Sequence, residues 1–297
     1  MKDPPTLGSI LSMRLLTSIL LLVLPLTAAE VDVYLLGGQS NMQGIGKIAQ
    51  LPNAQDIDLS RTHFFTGKGF ETIQLGKTKT SARPADFGPE IGFGQVMNQK
   101  GKEIYIIKYF ASGMPLHPGW NRNKWVGLPA APKRTNFYPG TNAQDPNKGR
   151  LYLAMQKRFA SGVQSLKAAG HTPKIRGFLW MQGEQDSKNQ TSATTYAKHL
   201  KLLKNRLSED MNVDPLPLVF GQVLPYTPAL DRFTHRTEIR QQMAAADSKS
   251  GKSESIPTTT MVSTDPFPLL KDKVHYNAEG QLLLGQAFAD AMLELQK

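Results

Sequence analysis

The chain has 297 residues, 40% hydrophobic and 20% charged, and its 35 Lys and Arg outnumber 24 Asp and Glu to give a formal charge of +11. This describes an ordinary globular chain with room for one sizeable core, one domain rather than two. The absence of cysteine excludes disulfides, a cysteine nucleophile and a lipidated cysteine. The basic residues are scattered, with no block of five and no interleaved aromatics, which argues against nucleic acid as a partner.

The N-terminus reads as a leader. Arg14 precedes the apolar run Leu15 to Leu26, and Thr27-Ala28-Ala29 closes it with small residues, the pattern of a secretory signal over residues 1–29. Met13 is a second candidate start. The run contains Pro25 and falls short of the roughly 20 residues a membrane span needs, so no membrane association is expected after signal removal. Lys2, Arg14 and Asp3 contribute +1 of the +11, which leaves +10 on the exported chain. That charge can steer acidic polymers such as uronate-bearing polysaccharides. The expected location is secreted or periplasmic.

Residues 30–297 read as one domain. Val31–Leu36 is short and β-prone, and Gly37-Gly38 punctuates its end before Gln39-Ser40-Asn41-Met42. Further apolar runs follow at Glu103–Tyr109, Gly177–Met181, Leu216–Val223 and Thr258–Val262. Their near-continuous hydrophobicity marks strands covered on both faces. Between them, Leu151, Met155, Phe159, Val163 and Leu166 repeat at helical spacing up to Gly170. Tyr196, Leu200, Leu203 and Leu207 form a second stripe. A third, Leu282 to Met292, follows Asn277, a good N-cap type. Strands alternating with helices predict an α/β fold with a mainly parallel, five-stranded sheet, and function at the carboxyl ends of the strands. The Pro-, Gly- and Asn-rich stretch 113–149 is read as an insertion. Its Trp120, Trp125, Phe137 and Tyr138 either stack on sugar rings or pack on their own domain.

Three clusters fall just past strand ends. A serine hydroxyl needs a base, and the base needs a carboxylate to fix its tautomer. Ser40 lies where a strand turns into a helix, with free backbone N–H groups. Asp272 and His275 are separated by two residues, so one turn brings the carboxylate to the imidazole. Asp265 is a rival acid. The third cluster is Trp180-Met181-Gln182-Gly183-Glu184-Gln185-Asp186, where the Gln182 amide can donate to an oxyanion while Glu184 and Asp186 orient neighbours. His63, His117, His171, His199 and His235 are read as structural. The serine is not in a Gly-x-Ser-x-Gly elbow, because Met42 stands where glycine is required. Gly44-Ile45-Gly46-Lys47 lacks the earlier glycine and the following Ser or Thr of a phosphate loop, and no metal-ligand spacing occurs.

Together these segments resemble the SGNH-type hydrolases, in the branch holding sialate O-acetylesterases and the carbohydrate esterase family 6 acetylxylan esterases. The blocks that carry the resemblance are Gly38–Met42, Phe87–Gly94, Phe178–Asp186 and Asp272–Asn277, in that order along the chain. The resemblance implies a flavodoxin-like three-layer α/β/α sandwich, no cofactor or metal, and an acetylated carbohydrate substrate. It assigns Ser40 as nucleophile, His275 as base and then acid, and Asp272 as its orienter. Its oxyanion hole comprises the Ser40 N–H, the Gly113 N–H and the Gln182 side chain, with Gln39, Asn41, Glu184 and Asp186 in support. The chain departs from the usual Gly-Gly pair of the second block, having Ala111-Ser112-Gly113. The expected activity is removal of O-acetyl groups from an acetylxylan-type polysaccharide. Sialate esters are the alternative substrate, and an inactive carbohydrate-binding protein the alternative class.

Overall fold

A computed structural model describes residues 1–3, 29–51, 53–227 and 230–297; the stretch 4–28, which holds the expected leader, lies outside the described residues. Seven of the described strands form one sheet. They are β1 (Glu30–Gly38), β2 (Thr62–Phe65), β3 (Phe70–Thr72), β4 (Ile104–Phe110), β5 (Thr172–Met181), β6 (Leu218–Gly221) and β7 (Thr259–Val262). The order is β7-β6-β5-β1-β4-β2-β3, and every neighbouring pair is parallel except the β2–β3 hairpin at one edge.

The α/β architecture expected from the sequence is present, with seven strands in place of five. The two strands not foreseen, Thr62–Phe65 and Phe70–Thr72, are an edge hairpin too short to carry a periodic signal. β5 also begins five residues earlier than expected. Its first half alternates between exposed and half-buried residues where the strand outruns its covering helices, so Lys174 and Arg176 break the apolar run there.

The helices are α1 (Ser40–Gln43), α2 (Glu90–Gln99), α3 (Arg150–Ala168), α4 (Gln190–Thr194), α5 (Tyr196–Met211), α6 (Arg236–Ala246) and α7 (Ala278–Leu295). Side chains alternate across a strand, so β1 shows how the layers sit. Tyr34 meets Phe93 of α2 edge to face at 5.0 Å and reaches Gln296 just past α7. Gly37, of opposite parity, faces Met155 of α3. Helices therefore cover both faces of the sheet. Asn277 caps α7 by accepting the Gly280 N–H at 2.8 Å, and Gly170 follows α3 at φ +84°, as the sequence predicts.

Stretch 113–149 holds a two-rung hairpin, Trp120–Asn121 against Lys124–Trp125, and packs its aromatics inward. Phe137 lies edge to face with Trp180 at 5.3 Å, and Trp120 Nε1 donates to Ser192 Oγ at 3.1 Å. Trp120, Phe137 and Tyr138 are all buried, which decides for packing over sugar stacking at these three positions. His117 and His199 are also buried here, ring to ring at 4.4 Å. Burial, with cations nearby, pushes His117 down to about 3 and His199 down to about 4.

Those depressed values make the segment acid-sensitive. The unfolded rings take protons near their ordinary value of about 6.5, whereas the folded ones resist until far lower pH. Stability is therefore full above that range and lost as pH falls through it toward 4. Exchanging His199 for Leu should flatten the fall in Tm between pH 7 and 4, removing on the order of 3 kcal/mol of pH-dependent destabilisation. Parallel Tm curves for the two proteins would show that the buried rings do not titrate as described.

Candidate active site

Three adjacent strands, β4, β1 and β5, deliver the site. β1 ends at Gly38, whose φ of +152° places it in backbone territory open to glycine, and a Cβ there would lie 2.1 Å from the Met181 carbonyl oxygen. The close approach lets the Gln39 N–H donate to that same carbonyl at 2.9 Å, while the Gly38 carbonyl accepts the Ala111 N–H at 3.0 Å. The ends of the three strands are stitched together one residue before Ser40.

Ser40 opens α1, and its N–H has no acceptor among the described residues, as expected of a first-turn amide. Its Oγ lies 2.8 Å from His275 Nε2. His275 Nδ1 is 2.6 Å from Asp272 Oδ2, while Asp272 Oδ1 accepts the N–H groups of Val274 and His275 at 2.9 and 3.0 Å. Those two amides hold a tight turn in which Lys273 takes φ +59°. A lysine in that region costs about 1 kcal/mol, which the bonds to Asp272 offset. Burial works against the Asp272 charge, but the bonds from His275 and Val274 outweigh it and hold the carboxyl below its ordinary range. Asp265 does not reach the imidazole. It forms a two-pronged pair with Arg240 Nη2 at 2.7 and 2.9 Å.

The loop after β4 carries Gly113 at φ +69°, with its N–H unpartnered among the described residues. Ser112 Oγ donates to Gln43 Oε1 at 2.6 Å, tying this loop to the end of α1. Gln182, just past β5, is fully buried and differs from the free donor the sequence suggests. Its amide donates to Asp186 Oδ2 at 2.7 Å and to the Met114 carbonyl at 3.1 Å, and faces Gln39 Oε1 at 3.4 Å. The Tyr196 hydroxyl donates to the Gln182 backbone carbonyl at 2.5 Å and lies 3.2 Å from Oε1, while the Asp186 and Met114 acceptors fix which end of the amide is NH₂.

Asp186 also accepts the N–H groups of Leu116 and His117 at 2.8 and 3.0 Å, so it anchors the Gly113 loop to the β5 turn. Burial pushes its carboxyl up to about 6 against these hydrogen bonds. Asn41 Nδ2 donates to Glu184 Oε1 at 2.7 Å.

Sequence reasoning missed two residues that hold α1. Lys108, in the middle of β4, is wholly buried, and its ammonium donates to the carbonyls of Gln43 and Thr80 at 2.9 and 3.1 Å and to Glu90 Oε2 at 2.5 Å. Glu90 Oε1 accepts the Gly88 N–H at 2.8 Å. Burial depresses the Lys108 ammonium, and Glu90 opposes that shift. The signal was legible: a lysine inside a strand covered on both faces demands a buried anion. Among the described residues no group of three His, Cys, Asp or Glu is placed to hold a metal ion, and no helix is long and apolar enough to cross a membrane.

A model of the carbohydrate esterase family described as sialic acid-specific acetylesterase matches residues 30–294. Comparison with curated proteins finds no match. Among solved structures, the chain is similar to a protein from Arabidopsis thaliana, with TM-score 0.64 and 19% identity over 89% of this chain and 98% of that one. It is also similar to NanS, with TM-score 0.56 and 13% identity over 91% and 98% of the two chains. A carbohydrate acetylesterase from Xanthomonas citri aligns with TM-score 0.55 and 16% identity, over 88% of this chain and 55% of that one. At these identities the likeness is one of fold.

Removing one member of the buried Lys108–Glu90 pair leaves an uncompensated charge. Lys108→Met should destabilise the protein by about 3–5 kcal/mol, and adding Glu90→Gln should restore only the part due to the unpaired charge, since the Gln43 and Thr80 carbonyls stay without a donor. Denaturant unfolding checks it. Equal losses in the single and double variants would mean that the pair's charge is not what holds these segments.

Proposed function

The chain belongs to the sialic acid-specific acetylesterase family of carbohydrate esterases, a carboxylic ester hydrolase on that ground, and we propose that it removes O-acetyl groups from polysaccharide through an acetyl-enzyme on Ser40. The observation that carries the mechanism is the continuous chain from Ser40 Oγ through the His275 ring to Asp272, with contacts of 2.8 and 2.6 Å.

Ser40 Oγ attacks the acetyl carbonyl carbon and passes its proton to His275 Nε2. Asp272 holds Nδ1 protonated, so Nε2 is the atom free to accept. The carbonyl oxygen becomes an oxyanion that receives the N–H groups of Ser40 and Gly113. Gln182 supplies a third donor by exchanging its 3.1 Å bond to the Met114 carbonyl for the stronger anionic acceptor, while Asp186 keeps its other hydrogen. Collapse breaks the bond to the sugar oxygen, which takes the proton from His275. Water then gives a proton to His275 and attacks the acetyl-enzyme; acetate leaves, and Ser40 regains its hydrogen.

An open groove of about 490 Å³ lies beside the Asp272–His275 turn, lined by Tyr226, Phe267, Leu269, Lys271 and Lys273 among others. Neither Ser40 nor His275 lines that groove, so acetylxylan-type or related polysaccharide is proposed as substrate on the resemblance of the four sequence blocks. The chain's basic balance supports steering of acidic polymers toward the enzyme. The family's description favours a second reading, sialate O-acetyl esters. The complete Ser40–His275–Asp272 set argues against an inactive carbohydrate-binding protein. The leader-like N-terminus supports export to the periplasm or medium.

Ser40→Ala and His275→Ala should each reduce acetate release from a chromogenic acetate ester to background. Asp272→Asn should cost less, on the order of 10²–10⁴-fold, because the aspartate orients rather than reacts. Asp265→Asn should change little. Near-normal turnover by folded Ser40→Ala protein would refute the mechanism, and a larger loss from Asp265→Asn than from Asp272→Asn would reassign the acid. Acetate release from acetylated xylo-oligosaccharides set beside acetylated sialosides decides between the two substrates.

A further inference from the structure

Asn41, the residue after Ser40, joins three parts of the site with one side chain. Its Nδ2 donates to Glu184 Oε1 at 2.7 Å and to the Val274 carbonyl at 3.0 Å, and its Oδ1 accepts the Tyr276 N–H at 3.3 Å. Val274 and Tyr276 flank His275. One amide therefore grips the backbone on both sides of the base, from the residue adjoining the nucleophile.

Its partners fix which way this amide is turned: the Val274 carbonyl only accepts and the Tyr276 N–H only donates, and Glu184 agrees with both. An ionised carboxylate only accepts, so the NH₂ end must face it, and Oδ1 is left for Tyr276. Glu184 is buried at 2% exposure, and its second oxygen, Oε2, finds no partner among the described residues. A half-satisfied buried carboxylate is costly, and the Ser40–His275–Asp272 chemistry does not use it.

We propose that Asn41 and Glu184 act as a positioning pair that sets the register of His275 against Ser40, and that the Glu184 charge supports the imidazolium formed as Ser40 gives up its proton. The inference rests on the reading of Ser40 and His275 above. Other ionisable groups bear on Glu184 from each side. Asp186 on its own turn opposes its charge, whereas Lys188 and His275 favour it; Tyr196 from α5 and Tyr276 from the His275 segment stay neutral, their hydroxyls raised by burial and by Glu184. Burial raises its carboxyl above the ordinary range, and the Asn41 bond and His275 pull it back.

Two substitutions separate geometry from charge. Glu184→Gln keeps an acceptor for Asn41 and removes the charge; Glu184→Ala removes both. With a soluble acetate ester, Glu184→Gln should lower kcat about 3–10-fold with KM within about twofold, and move the acid limb of the kcat/KM–pH profile about half a unit or more to lower pH. Glu184→Ala and Asn41→Ala should each lower kcat about 100-fold, again with little change in KM. An unshifted acid limb in Glu184→Gln would overturn the charge role, and kcat within twofold in all three variants would overturn the positioning role. If Ser40→Ala is inactive while these variants behave as wild type, only the pair fails; if Ser40→Ala retains turnover, the nucleophile reading itself fails.

Discussion

The site depends on the stitching of three strand ends around Gly38. The Gln39 N–H bonds to the Met181 carbonyl and the Gly38 carbonyl to the Ala111 N–H, so β5, β1 and β4 finish in register within one residue of Ser40. Everything the chemistry requires then follows from what each chain does next. β1 turns into α1 and presents Ser40. β4 runs into the loop of Gly113, and β5 into the turn of Gln182, Glu184 and Asp186. A side chain at Gly38 would strike the Met181 carbonyl and separate two of the three. The sheet supplies precision here because its last rungs are hydrogen bonds between fixed strands rather than contacts between loops.

Buried charge does the remaining fastening, at a cost that explains where it is used. Lys108 and Glu90 on one side, and Asp186 on the other, hold backbone groups that have no other partner: the Gln43 and Thr80 carbonyls, the Gly88 amide, and the Leu116 and His117 amides. Desolvation opposes each charge, which is why burial pushes the Asp186 carboxyl up to about 6 despite three hydrogen bonds. Apolar residues would stabilise the core as well or better. They could not satisfy backbone groups that strand ends and one-turn helices leave open. His275 and Asp272 sit at the rim, more exposed than these anchors, so the pair is open to solvent while its supports stay dry.

The sequence was most legible where a single physical demand governs a segment. Five strands showed as apolar runs because helices cover both their faces, and α3, α5 and α7 showed as stripes because each buries one face. α2 escaped because it holds Gly92 and Gly94, poor helix formers. Both glycines are close contacts: a Cβ on Gly92 would lie 2.1 Å from the Leu282 carbonyl of α7, and one on Gly94 2.7 Å from Thr62 of β2. Tertiary packing, not propensity, makes that segment a helix. α6 escaped because its apolar side rests on little more than Ile239 and Met243. Ser40, Asp272 and His275 could be paired from type and spacing, since the aspartate and histidine share one turn. The engagement of Gln182 by Asp186 could not, because it depends on which way a buried amide is turned by the loop after β4, whose Met114 carbonyl takes its second hydrogen.

The central claim is that Ser40 carries the acetyl group between its release from sugar and its release as acetate. Rapid acid quench of the enzyme during turnover of an acetylated glycan, followed by peptide mass mapping, tests this directly. The account predicts one acetyl group on the peptide containing Ser40, present in wild type, increased when deacylation is slowed and absent from Ser40→Ala. Steady acetate release with no acetyl group on that peptide, or with the group on another residue, would contradict it.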